Sequence, residues 1–291
     1  MSNRDSIPTS KLAMFWSLTK PSQSGLLLST GLAGYMSARC PVFNISTILQ
    51  LSLSLFLAIA GSTIMNMWWD RDIDSKMGRT QKRVTSKGLL TDKEVLIAGI
   101  LISVIGIGWA LAMDWLYGLV VFAGWFFDVV IYSMWLKRRT CWSIVWGGIS
   151  GAMPILAGRV LGLGSIDWIG LMLALGILLW IPTHTLTFSM KFEKDYADAG
   201  VPTFPSTYGL AVTRFTIAFS SVLAAAAMVI AGIGIGMDWG FLRLLGVLSA
   251  GLLILAAAMT FNPTERVNFG LFKYASIYML AAMILVVVEV I

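Results

Sequence analysis

The sequence predicts an all-α, polytopic membrane protein. Its nine transmembrane helices form one bundle, and residues 1–291 make a single integral-membrane domain. Three observations carry this expectation. Of 291 residues, 57% are hydrophobic and only 12% charged, roughly half the charged share of a soluble domain. The mean hydropathy of +0.81 leaves too few polar side chains to cover a water-facing surface. The apolar residues also fall in runs of about 20, the length that crosses a bilayer as a helix. A soluble enzyme, a disordered chain and a nucleic-acid-binding domain fit this composition poorly. The net charge of +6 marks loops held at the cytoplasmic face of a membrane and no nucleic acid partner.

The first twenty residues contain Arg4, Asp5, Pro8, Lys11 and Lys20. They have no unbroken apolar core, so neither a cleaved signal nor a transit peptide is expected. Spans are expected at 22–40, 46–66, 95–113, 115–135, 142–162, 166–188, 213–235, 239–260 and 271–290. Asp114 marks the turn between the third and fourth. A Gly-rich link from Gly162 to Ser165 parts the fifth from the sixth. Gly31, Gly34, Gly147, Gly148 and Gly151 suit close helix contacts. With the N-terminus in the cytoplasm, all but three of the 21 Lys and Arg fall on the inner side; Arg39, Arg159 and Arg243 are the exceptions. That bias puts the C-terminus outside. Cys40 and Cys141 then lie at opposite faces and cannot pair.

The first chemical signal is Asn66-Met-Trp-Trp-Asp70-Arg-Asp72-Ile-Asp74, where the second span leaves the membrane. Asn66, Asp70 and Asp74 are spaced i, i+4, i+8, so a helix stacks them on one face. Such a face suits a hard cation like Mg²⁺, completed by substrate phosphates and water. A solvated helix end is the plainer alternative. Asp72 points away and is expected to pair with Arg71, Lys76 or solvent. The second signal is Lys191-Phe-Glu-Lys-Asp195-Tyr-Ala-Asp198, at the inner exit of span six. A second acidic face opposite the first would hold a second metal or the far side of a diphosphate. The third is a set of inner-side cations: Arg79, Lys82, Arg83, Lys87 and Lys137-Arg138-Arg139, the last three just after Tyr132. Acid, Mg²⁺ and Lys/Arg together grip a diphosphate and stabilise it as a leaving group. Asp128, one helical turn before Tyr132 inside span four, is either functional or part of a local hydrogen-bonded pair. His184 is the only histidine. It is either a hydrogen-bonded core residue or a ligand.

Several runs together resemble the UbiA-type intramembrane prenyltransferase superfamily, and within it the haem O synthases (protohaem IX farnesyltransferases). Asn66-x3-Asp70-x3-Asp74 is similar to the superfamily's first aspartate motif, continued by Lys76-Met-x-Arg79-Thr80-x-x-Arg83. Tyr132-Ser-Met-Trp-Leu-Lys137-Arg-Arg-Thr140 resembles that family's fourth-span exit, and Gly147-Gly-x-x-Gly-Ala-Met-Pro154 resembles the run after that exit. Pro182-Thr-His184 through Lys194-Asp195-Tyr196-x-x-Ala199-Gly-Val-Pro202 is similar to its second motif. Thr19-Lys20-Pro21 and Leu271-Phe272 through Ser276-x-Tyr278 also match. Three positions depart from the family: Val84 after Arg83, Thr185-Leu186 in place of an aromatic pair, and Thr203-Phe204 within Pro202–Pro205. They fall near the expected acceptor pocket.

The resemblance implies a nine-helix bundle, open sideways to lipid, in the plasma membrane with its active site facing the cytoplasm. It implies transfer of a farnesyl or longer prenyl group, such as geranylgeranyl, from its diphosphate to a vinyl group of haem B. Water then adds to complete the side chain. Asn66, Asp70, Asp74, Asp195 and Asp198 would hold Mg²⁺. Arg79, Arg83, Lys137, Arg138 and Lys191 would bind diphosphate, Tyr132 would orient it, and His184 and Asp128 would line the substrate pocket. His184 would meet the porphyrin, as iron ligand or propionate partner. A haem A synthase or terminal oxidase is the expected downstream partner. A quinone-precursor or glycerol-phosphate lipid acceptor is the alternative within the superfamily. A transporter would carry charges near the midplane, where only Asp128 qualifies. A haem or lipid carrier would need no Mg²⁺.

Overall fold

The computed structural model describes residues 10–38 and 44–289. Arg4, Asp5, Pro8, Arg39 and Cys40 lie outside them, so the expected separation of the cysteines rests on sequence alone; Cys141 is a buried free thiol. The described residues are helical in the order α1 (Lys11–Leu18), α2 (Pro21–Ser37), α3 (Ile45–Trp69), α4 (Arg71–Lys76), α5 (Asp92–Met113), α6 (Trp115–Phe126), a π-helical segment (Phe127–Leu136), α7 (Ser143–Leu163), α8 (Trp168–Lys191), α9 (Glu193–Asp198), α10 (Phe204–Ile235), α11 (Trp239–Phe261) and α12 (Glu265–Val288).

Eight of these helices are long and apolar enough to cross a membrane, α6 and the π segment counting as one. The first expected span corresponds to α2, 17 residues long, which packs tightly into the bundle. A Cβ on Gly158 of α7 would fall 1.8 Å from the carbonyl oxygen of Gly31, and one on Gly34 would fall 2.0 Å from that of Ile155. Only glycine lets these two backbones approach so closely. Gly147 serves differently, making room for the Tyr132 ring, whose Cδ2 would lie 2.8 Å from an added Cβ.

The breaks between helices follow local chemistry. Asp114 ends α5 and its carboxylate accepts from the Tyr117 N–H at 2.7 Å, capping α6. Gly164, at φ 72°, ends α7 in the left-handed conformation. Thr91 and Glu94 form a capping box at the head of α5. Gly209 breaks the first turns of α10, which begins nine residues before the expected span. In the core, α3 packs on α5, α8 on α10 and α2 on α7. Tyr117 and Tyr278 are fully buried there. Their hydroxyls meet Ser54 at 2.9 Å and Ser249 at 3.3 Å, as buried polar groups require.

Candidate active site

The acidic run folds as a helix with one bend. α3 stops at Trp69, Asp70 has non-helical torsions (φ −89°, ψ 4°), and α4 begins at Arg71. The hydrogen-bond ladder nevertheless continues. The Asp70 N–H donates to the Asn66 carbonyl at 2.9 Å, and the Asp74 N–H to that of Asp70 at 2.8 Å. Asn66, Asp70 and Asp74 therefore keep their stack.

Asp70 and Asp74 are buried, at 4% and 5% exposure. Lys137 pairs with Asp70, and Arg83 Nη1 reaches Asp74 Oδ2 at 2.5 Å. Among the described residues, the buried Asp70 Oδ1 has no hydrogen-bond partner. An orphaned carboxylate oxygen in this position is costly, and a bound cation would satisfy it. Asp72, on the other face, takes both oxygens to Arg138 at 2.7 Å, and Arg138 Nη2 also donates to the Trp69 carbonyl at 2.9 Å. The partner expected for Asp72 was Arg71, Lys76 or solvent; Arg71 instead pairs with Asp92 at 3.0 Å. Arg138, expected at the diphosphate, is committed to tying the exit of span four to that of span two. Its planar fork matches a carboxylate edge to edge. This bond holds the Asp72 carboxyl below its usual range.

The π segment sets the other wall. Its backbone bonds skip five residues, as from the Lys137 N–H to the Tyr132 carbonyl at 2.8 Å. Residues i and i+5 thus replace i and i+4 as neighbours along the helix. Asp128 and Ser133 both reach Asn66: its Nδ2 donates to Asp128 Oδ2 at 2.7 Å, and Ser133 Oγ donates to its Oδ1 at 2.8 Å. Ser62 also donates to Asp128. Lys137 Nζ lies 5.6 Å from the Tyr132 ring centre. Asn66 is thus held by two side chains of span four. Of the two alternatives for Asp128, the hydrogen-bonded network is realised, and it borders the acid site. Burial opposes charge on Lys137, but Tyr132 and Asp70 outweigh it and hold its ammonium above the usual lysine range.

Three residues, Ser62, Ser133 and Lys20, were not singled out for the site by their sequence. Ser133 gave no signal, because its arrival depends on the π register. Lys20 was legible only as part of Thr19-Lys20-Pro21. It adopts a left-handed backbone at φ 45°, which costs a non-glycine residue roughly 1–2 kcal/mol. The following Pro21 bars it from helical torsions. The turn brings its amine into the field of Arg83, Lys137, Asp74 and Asp128. Burial, then Arg83 and Lys137, lower its pKa to about 8.

The second acidic stretch meets the loop after α4. Asp195 Oδ2 accepts from the Arg79 N–H at 3.4 Å. Asp198 is exposed and Glu193 half-buried. Among the described residues no three Asp, Glu, His or Cys side chains converge as a ready-made metal cage. Of the residues expected around a metal, Asn66, Asp70, Asp74 and Asp195 have their own partners among the described residues. Asn66 faces Asp128 and Ser133, Asp70 and Asp74 carry Lys137 and Arg83, and Asp195 lies across the loop. The Arg79 guanidinium rests 4.8 Å from the Phe188 ring centre, and Lys191 Nζ 3.6 Å from that of Phe269. His184 is stacked between Trp180 and Phe272, at 5.1 and 4.5 Å, with Nδ1 3.3 Å from Ser276 Oγ. Covered on both faces, its ring can offer only an edge.

A cavity opens between α2, α3, α6 and α7. Leu55, Ala58, Val121 and Met153 make it apolar, and Ser62 and Asp128 lie on its wall. An apolar chamber beside buried, cation-paired carboxylates can take a molecule with a greasy chain and an anionic head.

The chain is similar to known proteins in sequence and in fold. Residues 27–284 match the UbiA prenyltransferase family. A protoheme IX farnesyltransferase of Archaeoglobus fulgidus is 41% identical over 230 residues, covering 77% of this chain and 80% of that protein. One from a Methylobacterium species is 34% identical, covering 92% and 86%. A solved structure of digeranylgeranylglyceryl phosphate synthase shares the fold with a TM-score of 0.80 at 18% identity, over 96% and 98% of the two chains. A UbiA homolog from Archaeoglobus fulgidus bound to GPP and Mg²⁺ does so with a TM-score of 0.70 at 15% identity, over 94% and 99%. The chain belongs to the UbiA prenyltransferase family and is a multi-pass membrane protein.

Proposed function

We propose that this protein is a protohaem IX farnesyltransferase. It moves a farnesyl or longer prenyl group from its diphosphate to a vinyl group of haem B, and water completes the side chain of haem O. The observation that carries the reading is the likeness to relatives of that name at 41% and 34% identity over most of the chain. The buried, partly unsatisfied acid site beside an apolar cavity gives it a physical basis.

Asp70, through its orphaned Oδ1, and Asp74, with Asp195, would hold Mg²⁺. That ion, when bound, neutralises diphosphate charge and helps it leave. Lys137 and Arg83, now paired with Asp70 and Asp74, stand where they can turn to diphosphate oxygens, and Lys20 adds a third cation. Arg79 and Lys191 border the site; Arg138 acts through Asp72 by fixing the ends of two spans, and Asp198 serves at most from the rim. Asp128 and Ser133 hold Asn66 at the membrane-facing edge, and Ser62 donates to Asp128. The Tyr132 ring, against Gly147 and Lys137, orients the head group or the developing allylic cation. The cavity between α2, α3, α6 and α7 takes the prenyl chain and keeps bulk water from the cation until the vinyl carbon attacks. His184 presents its edge to the porphyrin.

The whole chain is read as one integral-membrane domain of nine spans in the plasma membrane. Its N-terminus and acid site face the cytoplasm and its C-terminus faces outward. A haem A synthase or terminal oxidase would receive the product. The test is a turnover assay with purified protein, haem B, Mg²⁺ and farnesyl or geranylgeranyl diphosphate, followed by extraction and mass spectrometry. A haem heavier by one prenyl unit plus water is expected, and its mass gives the chain length. Unmodified haem beside a prenylated quinone precursor or glycerol-phosphate lipid would overturn the acceptor.

A further inference from the structure

The inner ends of α8 and α12 carry a cationic and aromatic cluster at the border of the acid site. Lys191 Nζ lies 3.6 Å and Lys273 Nζ 4.6 Å from the centre of one ring, Phe269. Lys191 is also 5.7 Å from Phe192, and the Arg79 guanidinium lies over Phe188 and Phe192 at 4.8 and 5.5 Å. Among the described residues none of these three cations has a carboxylate within ion-pair distance, although Glu193 lies on α9 and Glu265 opens α12. Two ammonium groups sharing one ring repel each other. An anion with two negative groups would relieve that repulsion.

Below these cations the two helices offer a half-buried aromatic ledge. Phe269 and Phe272 stack at 5.9 Å, Phe272 meets Phe188 at 5.6 Å, and His184 lies on Phe272 at 4.5 Å. Lys191 and His184 are seven residues apart on α8, as are Phe269 and Ser276 on the antiparallel α12. That spacing is about 10 Å along each axis. The cluster therefore has an aqueous, dicationic top and an aromatic flank leading down to His184.

We propose that this ledge is the porphyrin subsite. Lys191 and Lys273 hold the two propionates at the membrane surface, and the macrocycle lies along Phe269, Phe272 and Phe188 towards His184. The inference rests on the haem reading and deepens it by assigning the acceptor's orientation. A tetrapyrrole has one edge with two carboxylates and an otherwise apolar disc, the same division of charge that the ledge shows. Charge-assisted contacts at the water boundary keep the carboxylates solvated while the disc is buried. The vinyl edge is then carried down into the bundle. Arg79 links the two substrates, since its side chain lies on the ledge and its backbone N–H meets Asp195.

The test is equilibrium binding of zinc protoporphyrin IX and its dimethyl ester, read by fluorescence, to the full chain in nanodiscs. Wild type, Lys191→Gln, Lys273→Gln and the double variant are compared. The free acid should lose about tenfold in affinity in the double variant. The ester should bind wild type about as weakly as the free acid binds the double variant, and should be indifferent to the substitutions. Binding of the free acid unchanged in the double variant would overturn the proposal. So would a loss confined to discs of anionic lipid, which would make the lysines headgroup contacts. Weaker pyrophosphate binding with Mg²⁺ in Lys191→Gln would move that lysine to the donor side and also overturn it. If wild type binds neither porphyrin, the haem reading itself falls; if it binds both equally, only the propionate assignment does.

Discussion

Two buried ion pairs, at opposite ends of the bundle, use the same chemistry to opposite ends. At the expected outer end Arg159 grips both oxygens of Asp167 at 2.7 Å, and its third nitrogen donates to the Ser37 carbonyl and hydroxyl at 2.6 and 3.0 Å. Asp167 also caps α8 through the Gly170 N–H at 2.9 Å. Every polar atom of the cluster has work to do, and it rivets α2, α7 and α8 together. At the expected inner end Asp70 has Lys137 on one oxygen and, among the described residues, nothing on the other. The first pair is finished and holds structure. The second is unfinished, and a buried polar group left unfinished is where a ligand can gain free energy.

The sharpest way to break this contrast is Asp70→Asn. Turnover should fall by at least about 10²–10³-fold, the usual cost of removing a group that stabilises developing charge. Thermal stability should fall by about 1–3 kcal/mol, because Lys137 loses its charged partner while the amide that replaces the carboxylate gains no new one. Activity near wild type in this variant would remove Asp70 from the donor site. The mirror experiment is Arg159→Met. It should destabilise by about 2–4 kcal/mol in reversible unfolding, somewhat less than for a fully buried pair, because Asp167 keeps 26% of its side chain exposed. The folded fraction should turn over normally.

A third measurement uses pH. The Lys20 pKa falls from 10.5 to about 8. Between those values the unfolded chain binds the proton more often than the folded one, so stability rises as pH climbs from about 8 towards 10.5. Over the same range the folded protein loses that cation, so KM for the prenyl diphosphate should rise above pH 8. In Lys20→Met both trends should flatten; an unchanged KM profile would place Lys20 away from the diphosphate. The smallest effect belongs to Arg138→Gln. Its bidentate bond to Asp72 is largely exposed, so loss of stability should stay below about 1 kcal/mol. A change in kcat with unchanged KM would show that this tie positions Asp70; a rise in KM would return Arg138 to the diphosphate.

Much of the molecule was legible in the sequence. The apolar runs located the long helices to within a few residues at most ends, and Asp114 and Gly164 marked two of the turns, since caps and breakers act locally. The i, i+4, i+8 spacing of Asn66, Asp70 and Asp74 held despite the bend at Asp70, because the backbone ladder runs through it. Pairings were less legible. The sequence reading gave Asp72 to a neighbour and Arg138 to the substrate, whereas the two find each other across 66 positions. Arg159 was read only as an outer-side charge, and nothing local reveals that Ser37 and Asp167 close around it. His184 was read as a core residue or a ligand. The stack of Trp180 and Phe272 makes it a ring held by its faces, with Nδ1 on Ser276.

By itself the sequence determined the solvent, the helices and the chemical vocabulary: lipid around an all-α chain, with acids and cations gathered at span exits. These follow from composition and short-range periodicity, which a linear chain carries in full. The tertiary structure decided which charge meets which, and which one is left over. The π register of 127–136 brings Ser133 and Asp128 together on Asn66. The left-handed turn at Lys20 carries a distant amine to the acid site. The close crossing of Gly34 and Gly158 draws α2 onto α7 at the end where Arg159 is satisfied. Each depends on distances between helices, set by packing over the whole bundle, and a local pattern holds no information about them.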